Sequence, residues 1–182
     1  MRNAGTIGGN ICNGATSADM ASTLCVFDAI LKLVGPSGER DVSINDFYKG
    51  PGQVDLKKGE ILKGFVIEEK NYKGYNGRYI KFSQRKAMDI ATLGCSVLVK
   101  EKEGLIEDLK IAFGVAGPTP LRAKEAENFG KNKKINEENL IAIGEKCLES
   151  TNARDSWRAS KAFREQLIRA LPVRGLEIAL GG

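Results

Sequence analysis

Two long β-rich segments joined by a short turn constrain the fold more than any other feature of this sequence. Residues 90–100 and 105–116 are rich in Ile, Leu, Val and Ala, and Lys102-Glu103-Gly104 lies between them. Parallel strands need a crossover of about a dozen residues or more, so these two strands are predicted to pair antiparallel. A third strand is predicted at residues 79–85. This pattern excludes the regular strand–helix alternation of a TIM barrel or a doubly wound sheet.

Three helices are predicted in the remaining carboxy-terminal part of the chain. The first covers residues 123–129 and is expected to end at Gly130, because glycine readily adopts the left-handed conformation that closes a helix. Asn136 is predicted to cap the second helix. The third helix is predicted to begin near Ser156 and to end or kink at Pro172, which lacks the backbone donor that a helix needs.

The amino-terminal part is predicted to be a loop followed by short elements. Residues 1–20 are rich in Gly and Asn, which favours irregular backbone with permissive dihedral angles. Ser17 or Asp19 is expected to cap a short helix at residues 21–27. A β-hairpin is predicted at residues 29–44, where an alternating apolar pattern is interrupted by a Pro-Ser-Gly turn.

A composition change near the middle of the chain indicates two units. Asn45 is expected to cap a brief helical turn, and a further strand is predicted at residues 61–67. The Gly- and Asn-rich stretch at residues 71–77 then indicates a boundary. We therefore expect an α+β protein with one unit at residues 1–74 and a second at residues 75–182, the latter with three antiparallel strands and three helices.

Charge and hydropathy argue against a nucleic-acid groove and against a membrane span. The net charge is only +5, and the one basic cluster, Lys131, Lys133 and Lys134, has no interleaved aromatic residue. No apolar stretch approaches the ~20 residues that a membrane-spanning helix requires. The start of the sequence has no cationic region followed by a hydrophobic run. We expect a soluble cytoplasmic protein that binds no nucleic acid.

The cysteines and the absence of histidine argue against a metal site. The four cysteines (Cys12, Cys25, Cys95, Cys147) are widely spaced, and zinc or iron–sulfur sites need clustered ligands. Three of them lie in apolar surroundings and are interpreted as small buried residues. Without histidine the usual general base is missing, so hydrolase chemistry is not expected. Trp157 is likewise assigned to the hydrophobic core, together with Phe163.

The segment at residues 6–11 (TIGGNI) is the strongest candidate for a ligand-binding site. Gly8 and Gly9 would let a ligand approach the backbone without a Cβ atom in the way, and consecutive amide donors suit a diphosphate. Asn10 can both donate and accept a hydrogen bond. A Gly-Gly pair also occurs in simple turns, so the residues alone leave both interpretations open. A stand-alone NAD- or phosphate-binding protein is a third alternative.

The wider sequence resembles a known flavoprotein family. Residues 2–19 (RNAGTIGGNICNGATSAD) are similar to the second FAD-contacting motif of the xanthine dehydrogenase and carbon monoxide dehydrogenase flavoproteins, which belong to the molybdenum hydroxylases. Further similar segments follow in the family's order: Asp46-Phe47, Gly50-Pro51-Gly52, Gly59-Glu60-Ile61-Leu62, and residues 81–91, 113–122 and 156–161. The chain therefore resembles the FAD-binding, or medium, subunit of the xanthine dehydrogenase type.

This resemblance implies a set of FAD contacts. They are Thr6, Ile7, Gly8, Gly9, Asn10, Cys12, Asn13, Asp19, Ile61, Leu62 and Lys81. The Gly8-Gly9-Asn10 run is expected to lie against the diphosphate, and Asp19 to hydrogen-bond the cofactor. Ile61 and Leu62 are expected on the adenine or ring side. Lys81 would reach the flavin and stabilise its reduced form, although the residues alone equally allow it to face solvent. No catalytic residue and no metal ligand is expected.

The resemblance also implies partners and a missing segment. In the family's assembly, electrons pass from a molybdenum centre through iron–sulfur clusters and FAD to NAD or another acceptor. The resemblance to xanthine dehydrogenase subunits implies that the substrate oxidised is a purine, xanthine. The implied partners are an iron–sulfur subunit and a molybdenum cofactor-binding subunit. The family carries a first glycine-rich motif ahead of the present start, so this chain is expected to bind FAD weakly or not at all by itself. A separate amino-terminal fragment could supply that motif. The alternative is a non-catalytic docking or remnant module.

Overall fold

The computed structural model describes residues 4–85 and 89–181 and divides them between two hydrophobic cores. The first core is built from three short helices and five strands. They are α1 (Ile7–Cys12), α2 (Ala21–Val26), α3 (Ile44–Phe47), β1 (Ile30–Gly35), β2 (Gly38–Ser43), β3 (Tyr48–Gly50), β4 (Gln53–Val54) and β5 (Ile61–Val66). β1, β2 and β5 form an antiparallel sheet in the order β2-β1-β5, and β3 pairs with β4.

The second core lies between a four-stranded sheet and three helices. Its elements are β6 (Asn76–Phe82), β7 (Leu93–Lys102), β8 (Leu105–Gly114), β9 (Leu121–Arg122), α4 (Lys124–Gly130), α5 (Glu137–Lys146) and α6 (Lys161–Ala179), with short 3-10 helices at Glu69–Asn71 and Cys147–Ser150. The sheet is antiparallel throughout, in the order β6-β7-β8-β9. The predicted α+β class and the antiparallel pairing of β7 with β8 are confirmed.

Strand β7 is buried on both faces, which explains its nearly continuous apolar sequence. Successive side chains of a strand point to opposite sides, and Cys95, Val97 and Val99 belong to the core shared with α4, α5 and α6. Leu98 belongs to the other core. On that face the Ser96 hydroxyl lies 2.9 Å from the Ser22 hydroxyl of α2. Helix α2 therefore covers the back of the sheet and joins the two units.

A buried ionic network fixes this junction. The Arg122 guanidinium is hydrogen-bonded to both carboxylate oxygens of Glu127, and its Nη1 donates to Asp28 Oδ1 at 2.6 Å, just past the end of α2. Lys110 Nζ donates to Asp28 Oδ2 at 2.8 Å and to Asn71 Oδ1 at 2.9 Å. Because each of these charges is met by an opposite charge or a hydrogen bond, the cost of burying them is offset.

Several helix boundaries differ from the predictions for local reasons. Helix α2 has Met20 as its N-cap with no side-chain capping bond, so neither Ser17 nor Asp19 caps it. Ser43, and not Asn45, caps α3. Asn136 does cap α5, as predicted: its side chain accepts a hydrogen bond from the Asn139 amide. Each cap depends on which oxygen reaches a free amide, and composition alone does not decide that.

The predictions for α4 and α6 were wrong in part. Gly130 is the final residue of α4 rather than a left-handed cap, and the left-handed residue nearby is Asn132, with φ 62°. Helix α6 begins at Lys161 with Ser160 as its cap, and Pro172 lies inside it without ending it. Burial of the face that includes Pro172 outweighs the one lost hydrogen bond.

The core assignments and strand ends also need correction. Trp157 is 81% exposed and stacks on Arg158, so it does not belong to the core. Phe163 is 39% exposed but makes an edge-to-face contact with Phe82. β6 begins at Asn76, inside the predicted boundary stretch, and the two-residue strand β9 was too short to be recognised. Cys25, Cys95 and Cys147 are buried, as predicted.

The network at the junction predicts a large effect of a single substitution. Arg122→Met leaves the Glu127 and Asp28 carboxylates without their shared guanidinium, and we expect it to lower the free energy of unfolding by roughly 3–5 kcal/mol. The control is Lys63→Met, which removes an exposed pair with Glu39 and should cost less than about 1 kcal/mol. Urea denaturation measures both values. Equal losses for the two variants would contradict the role given to the network.

The lowered pKa of the Asp28 carboxyl predicts how the stability of the protein depends on pH. Partial burial acts to raise the pKa of its carboxyl, but the Lys110 hydrogen bond and the charge of Arg122 outweigh burial and lower it. A depressed folded pKa means that the contribution is fully present above the unfolded value of about 3.9 and is lost as pH falls through the folded pKa. The test substitution is Asp28→Asn, because asparagine readily adopts the positive φ of 46° found at this position. It should be less stable at pH 7 and lose less stability on acidification; a parallel decline in both proteins would contradict this.

Candidate functional site

An open groove runs along one face of helix α1. Its volume is about 570 Å³, and Thr6, Gly9, Asn10 and Asn13 line it from the α1 side. These positions are three or four residues apart, so they share one face of the helix. Asp19 lines the groove from the segment before α2. Five of the sequence-predicted cofactor contacts therefore lie around one groove.

The adjacent glycines are helical and do not form the predicted loop. Thr6 caps α1, its hydroxyl oxygen accepting a hydrogen bond from the Gly9 amide at 3.0 Å, and the Asn10 amide donates to the Thr6 carbonyl at 3.0 Å. The Gly9 and Asn10 amides are therefore not free donors, contrary to the expectation for a Gly-Gly turn. The threonine cap forms because its hydroxyl satisfies a donor that would otherwise have no partner at the helix start.

Each glycine allows a different close approach. A Cβ atom on Gly9 would lie 3.1 Å from the Thr6 hydroxyl oxygen, so this position keeps the groove floor flat and the cap undisturbed. A Cβ atom on Gly8 would lie 3.7 Å from Cδ2 of Leu62 in β5, an ordinary contact. Gly8 therefore seats α1 against β5, while Gly9 shapes the groove.

Asn10 joins the two walls of the groove. Its side-chain oxygen accepts a hydrogen bond from the Met20 amide at 3.2 Å, which ties α1 to the start of α2. Its Nδ2 has no hydrogen-bond partner among the described residues, and the same holds for the exposed side-chain amide of Asn13. Two amide groups thus remain available to a ligand in the groove.

Asp19 and Lys81 form an ion pair beside the groove. Lys81 Nζ donates to Asp19 Oδ2 at 2.8 Å, and the Tyr79 hydroxyl donates to Asp19 Oδ1 at 3.4 Å. Burial, followed by the charge of Asp19, raises the pKa of Tyr79, which therefore stays protonated. Lys81 is neither a solvent-facing residue nor an unpaired cation. Its charge is balanced before any ligand arrives.

The remaining predicted contacts are not among the residues that line the groove. Ile7 and Ile61 are exposed apolar residues, at 48% and 65%. Leu62 is partly buried behind Gly8, and Cys12 is half-buried against the first core. Among the sequence-predicted contacts, the residues that line the groove itself are Thr6, Gly9, Asn10, Asn13 and Asp19.

Sequence analysis gave no site role to Asp89 and Ile90, which lie on another side of the groove. Asp89 and Ile90 line the groove there, and the Asp89 carboxylate accepts hydrogen bonds from the amides of Arg85 at 2.6 Å and Ile90 at 2.9 Å. Their signal was present, since they belong to the Asp-Ile-Ala run that resembles the family. Residues 86–88 of that segment, and Arg2 and Asn3 of the motif at residues 2–19, lie outside the described residues.

Within residues 4–85 and 89–181, no group of three or more acidic or cysteine side chains is placed to hold a metal ion. Across the same residues, none of the helices combines the length and the apolar character needed to cross a bilayer.

Comparison with known proteins decides the family. The CO dehydrogenase flavoprotein C-terminal domain matches residues 78–179, and the FAD binding domain in molybdopterin dehydrogenase matches residues 1–67. The chain belongs to the family of FAD-binding medium subunits of the molybdenum hydroxylases. The predicted resemblance is confirmed, and so is FAD as the cofactor of the family.

Individual relatives agree in both sequence and structure. The chain is 44% identical over 171 residues to a xanthine dehydrogenase FAD-binding subunit of Escherichia coli O157:H7, covering 94% of this chain and 59% of the relative. It is 34% identical to the glyceraldehyde dehydrogenase medium chain of Sulfolobus acidocaldarius, covering 97% and 62%. The solved carbon monoxide dehydrogenase of Hydrogenophaga pseudoflava matches with a TM-score of 0.91 at 27% identity, covering 98% and 62%. The chain therefore spans about 60% of the length of these relatives.

The position of Cys12 at the back of the groove predicts selective thiol reactivity. Burial raises the pKa of Cys25 to about 12 and also raises the pKa values of Cys95 and Cys147, so these thiols have little access to reagent and little thiolate. Burial raises the pKa of Cys12 as well, but this thiol is only half-buried, so a reagent can reach it. We expect one thiol of the folded protein to react with a disulfide reagent, and Cys12→Ser to abolish that phase. Fast reaction of a second thiol in folded Cys12→Ser would contradict this arrangement.

Proposed function

We propose that this chain forms one wall of the FAD site in the flavin-binding subunit of a xanthine dehydrogenase-type enzyme. The observation that carries the proposal is the groove along α1, whose lining residues up to Asp19 lie within residues 1–67, the part matched by the FAD-binding domain family. Asp89 and Ile90, which also line it, lie within the part matched by the C-terminal domain family. Its volume of about 570 Å³ falls within the range of roughly 300–1,000 Å³ typical of small-molecule sites.

The residues around the groove fit a large polar cofactor. Gly9 keeps the floor of the groove free of a side chain, and Asn10 Nδ2 and the Asn13 amide can hydrogen-bond a ligand. Thr6, which holds the first turn of α1 in place, and Asp19, fixed by Lys81, complete the polar lining. The further proposed contacts are Gly8 and Leu62, which pack together behind α1, the half-buried Cys12, and the exposed apolar residues Ile7 and Ile61.

Lys81 and Asp19 act together in this proposal. When bound, FAD supplies the electron-carrying chemistry, and the protein positions it and sets its electrostatic surroundings. The Lys81 ammonium lies 2.8 Å from Asp19, so the pair is neutral overall. A ligand that gains negative charge can draw on the Lys81 ammonium, while Asp19 keeps that lysine from swinging into solvent. Tyr79 fixes the other carboxylate oxygen and so limits the rotation of Asp19.

The proposed FAD site also implies a role for this subunit in electron transfer within a larger enzyme. We infer that electrons reach FAD from the iron–sulfur clusters of one partner subunit, which receives them from a molybdenum cofactor-binding subunit, and that FAD passes them to NAD or another acceptor. Purine, as xanthine, is the proposed substrate class because the xanthine relative shares 44% identity, against 34% for the glyceraldehyde relative. The division into residues 1–74 and 75–182 remains part of this proposal.

The chain by itself should hold FAD weakly. Thr6, Gly9 and Asn13 are exposed, so the groove encloses a ligand from one side only. A ligand held from one side stays partly hydrated and is poorly preorganised, and both effects reduce affinity. The second candidate, a docking or remnant module that binds no FAD, is favoured by one observation: the sheet and helices α4, α5 and α6 have a core of their own.

The test measures FAD binding by equilibrium dialysis with matched variants. The wild-type chain should bind FAD no more tightly than a Kd of roughly 10 µM. Gly9→Leu places a bulky side chain in the groove and should weaken binding about tenfold or more. Ala170→Leu is the control, since it adds the same side chain at an exposed position of α6, and it should leave binding unchanged.

A second arm separates the two candidates. Coexpression with the part of the Escherichia coli relative that this chain does not cover should tighten FAD binding if the groove is one wall of the site. Gly9→Leu should then remain defective in the reconstituted pair. Equal affinity of Gly9→Leu and Ala170→Leu would reject the groove as the site. No binding by the pair, with both parts folded and associated, would favour the docking module.

A further inference from the structure

The buried guanidinium of Arg164 is incompletely satisfied. Arg164 lies in the first turn of α6 and is 2% exposed. Its side chain reaches back past the start of the helix, where Nη2 donates to the Ser156 hydroxyl at 2.7 Å. Its Nε has no hydrogen-bond partner among the described residues. Buried polar groups are nearly always hydrogen-bonded, so an arginine in this state indicates a partner that binds here.

Arg122 shows what a satisfied buried arginine looks like in the same chain. Its guanidinium binds both Glu127 oxygens, Asp28 and the Cys25 carbonyl. Across the described residues, no carboxylate lies within 4.0 Å of a guanidinium nitrogen of Arg164. The two buried arginines thus differ in the one component that usually makes such burial tolerable, which is an oxyanion.

The surroundings of Arg164 add positive charge rather than compensating it. Burial, followed by the charges of Arg154 and Arg158, lowers the pKa of Arg164, whereas Asp155 acts weakly in the opposite direction. The Asp155 carboxylate is already engaged, because it accepts a hydrogen bond from the Lys161 amide at 2.7 Å. The 19-residue helix α6 also directs the positive end of its dipole toward this corner.

Trp157 holds the outer arginine in place. The guanidinium carbon of Arg158 lies 4.2 Å from the centre of the Trp157 ring, and the Arg158 carbonyl accepts a hydrogen bond from Gln84 Nε2 at 2.9 Å. Stacking on an aromatic face reduces the freedom of a guanidinium without using its hydrogen-bond donors. Arg158 therefore keeps its donors available at the surface.

We propose that the corner formed by Arg154, Arg158, Arg164 and Ser156 binds a phosphate group. Guanidinium forks match phosphate oxygens in geometry, and a dianion balances three cations better than a carboxylate does. The start of a helix further favours a phosphate. These residues are not among those that line the groove beside α1, so this site does not depend on the proposed FAD function.

The single tryptophan of the chain reports on this site directly, because Trp157 stacks on Arg158. We expect its fluorescence to change saturably as phosphate replaces chloride at constant ionic strength, with a roughly millimolar Kd. Glycerol 3-phosphate distinguishes the sources of the ligand. Tighter binding of the ester indicates a phosphate carried on a larger molecule, and equal binding indicates free phosphate.

Three variants test the geometry. Arg164→Lys keeps the charge but loses the planar fork, and it should weaken phosphate binding about tenfold. Arg154→Gln removes an exposed charge and should weaken binding at least about threefold without loss of stability. Arg174→Gln is the control, since it removes an exposed charge from the distant part of α6, and it should bind as the wild type does.

Three results would contradict phosphate binding at this corner. Fluorescence that follows ionic strength regardless of the anion would overturn it, and so would tighter saturation by acetate than by phosphate. Wild-type affinity in Arg154→Gln would also overturn it. Because Arg154 is exposed, this variant keeps the test decisive even if Arg164→Lys proves too unstable to fold.

Discussion

The ion pair between Asp28 and Arg122 holds α2 in the position on which the groove beside α1 depends. It joins the end of α2 to the edge of the sheet, across 94 residues of sequence. Lys110 holds the second oxygen of the same carboxylate from the neighbouring strand, 82 residues away. Helix α2 is therefore fixed at one end by buried charges and along its length by apolar packing. An exposed pair of the same geometry would contribute little, because water and salt would screen it.

The candidate site inherits its geometry from that junction. Met20, at the start of α2, donates its amide to Asn10, and Asn10 belongs to α1. Helix α1, which forms one wall of the groove, is therefore hydrogen-bonded to the start of α2. The end of α2 is in turn held by the sheet through Asp28. Lys81 extends from β6 of the same sheet to Asp19 in the segment before α2. Two connections from the sheet therefore converge on the groove.

Local patterns in the sequence predicted the regular parts of this fold. The short turn at residues 102–104 required antiparallel pairing, and the β1–β2 hairpin and the Asn136 cap also depend on neighbouring residues only. Helix α1 escaped prediction because two adjacent glycines favour a turn, whereas the Thr6 cap and the contact of Gly8 with Leu62 favour a helix. The apolar contact that seats this helix comes from a strand more than fifty residues away along the chain.

The candidate site was predictable as a set of residues but not as an arrangement. Motif resemblance named Thr6, Gly9, Asn13 and Asp19 as cofactor contacts, and the structure brings these four residues to one groove, since they lie close together in sequence. The pairing of Asp19 with Lys81 depends on strand register, and the exposure of Trp157 depends on a loop that leaves the core before α6 begins. Neither has a periodic signal, so sequence pattern alone could not reveal them.

The most direct test of the central claim is an NMR titration of the isotope-labelled chain with FAD. The account predicts that amide shift changes concentrate on the groove face of α1, at Thr6, Gly9 and Asn13, and extend to Asp19 and Asp89 on the opposing walls. Changes confined to another surface, such as the outer face of α5 and α6, would contradict it. So would the absence of any change at millimolar FAD.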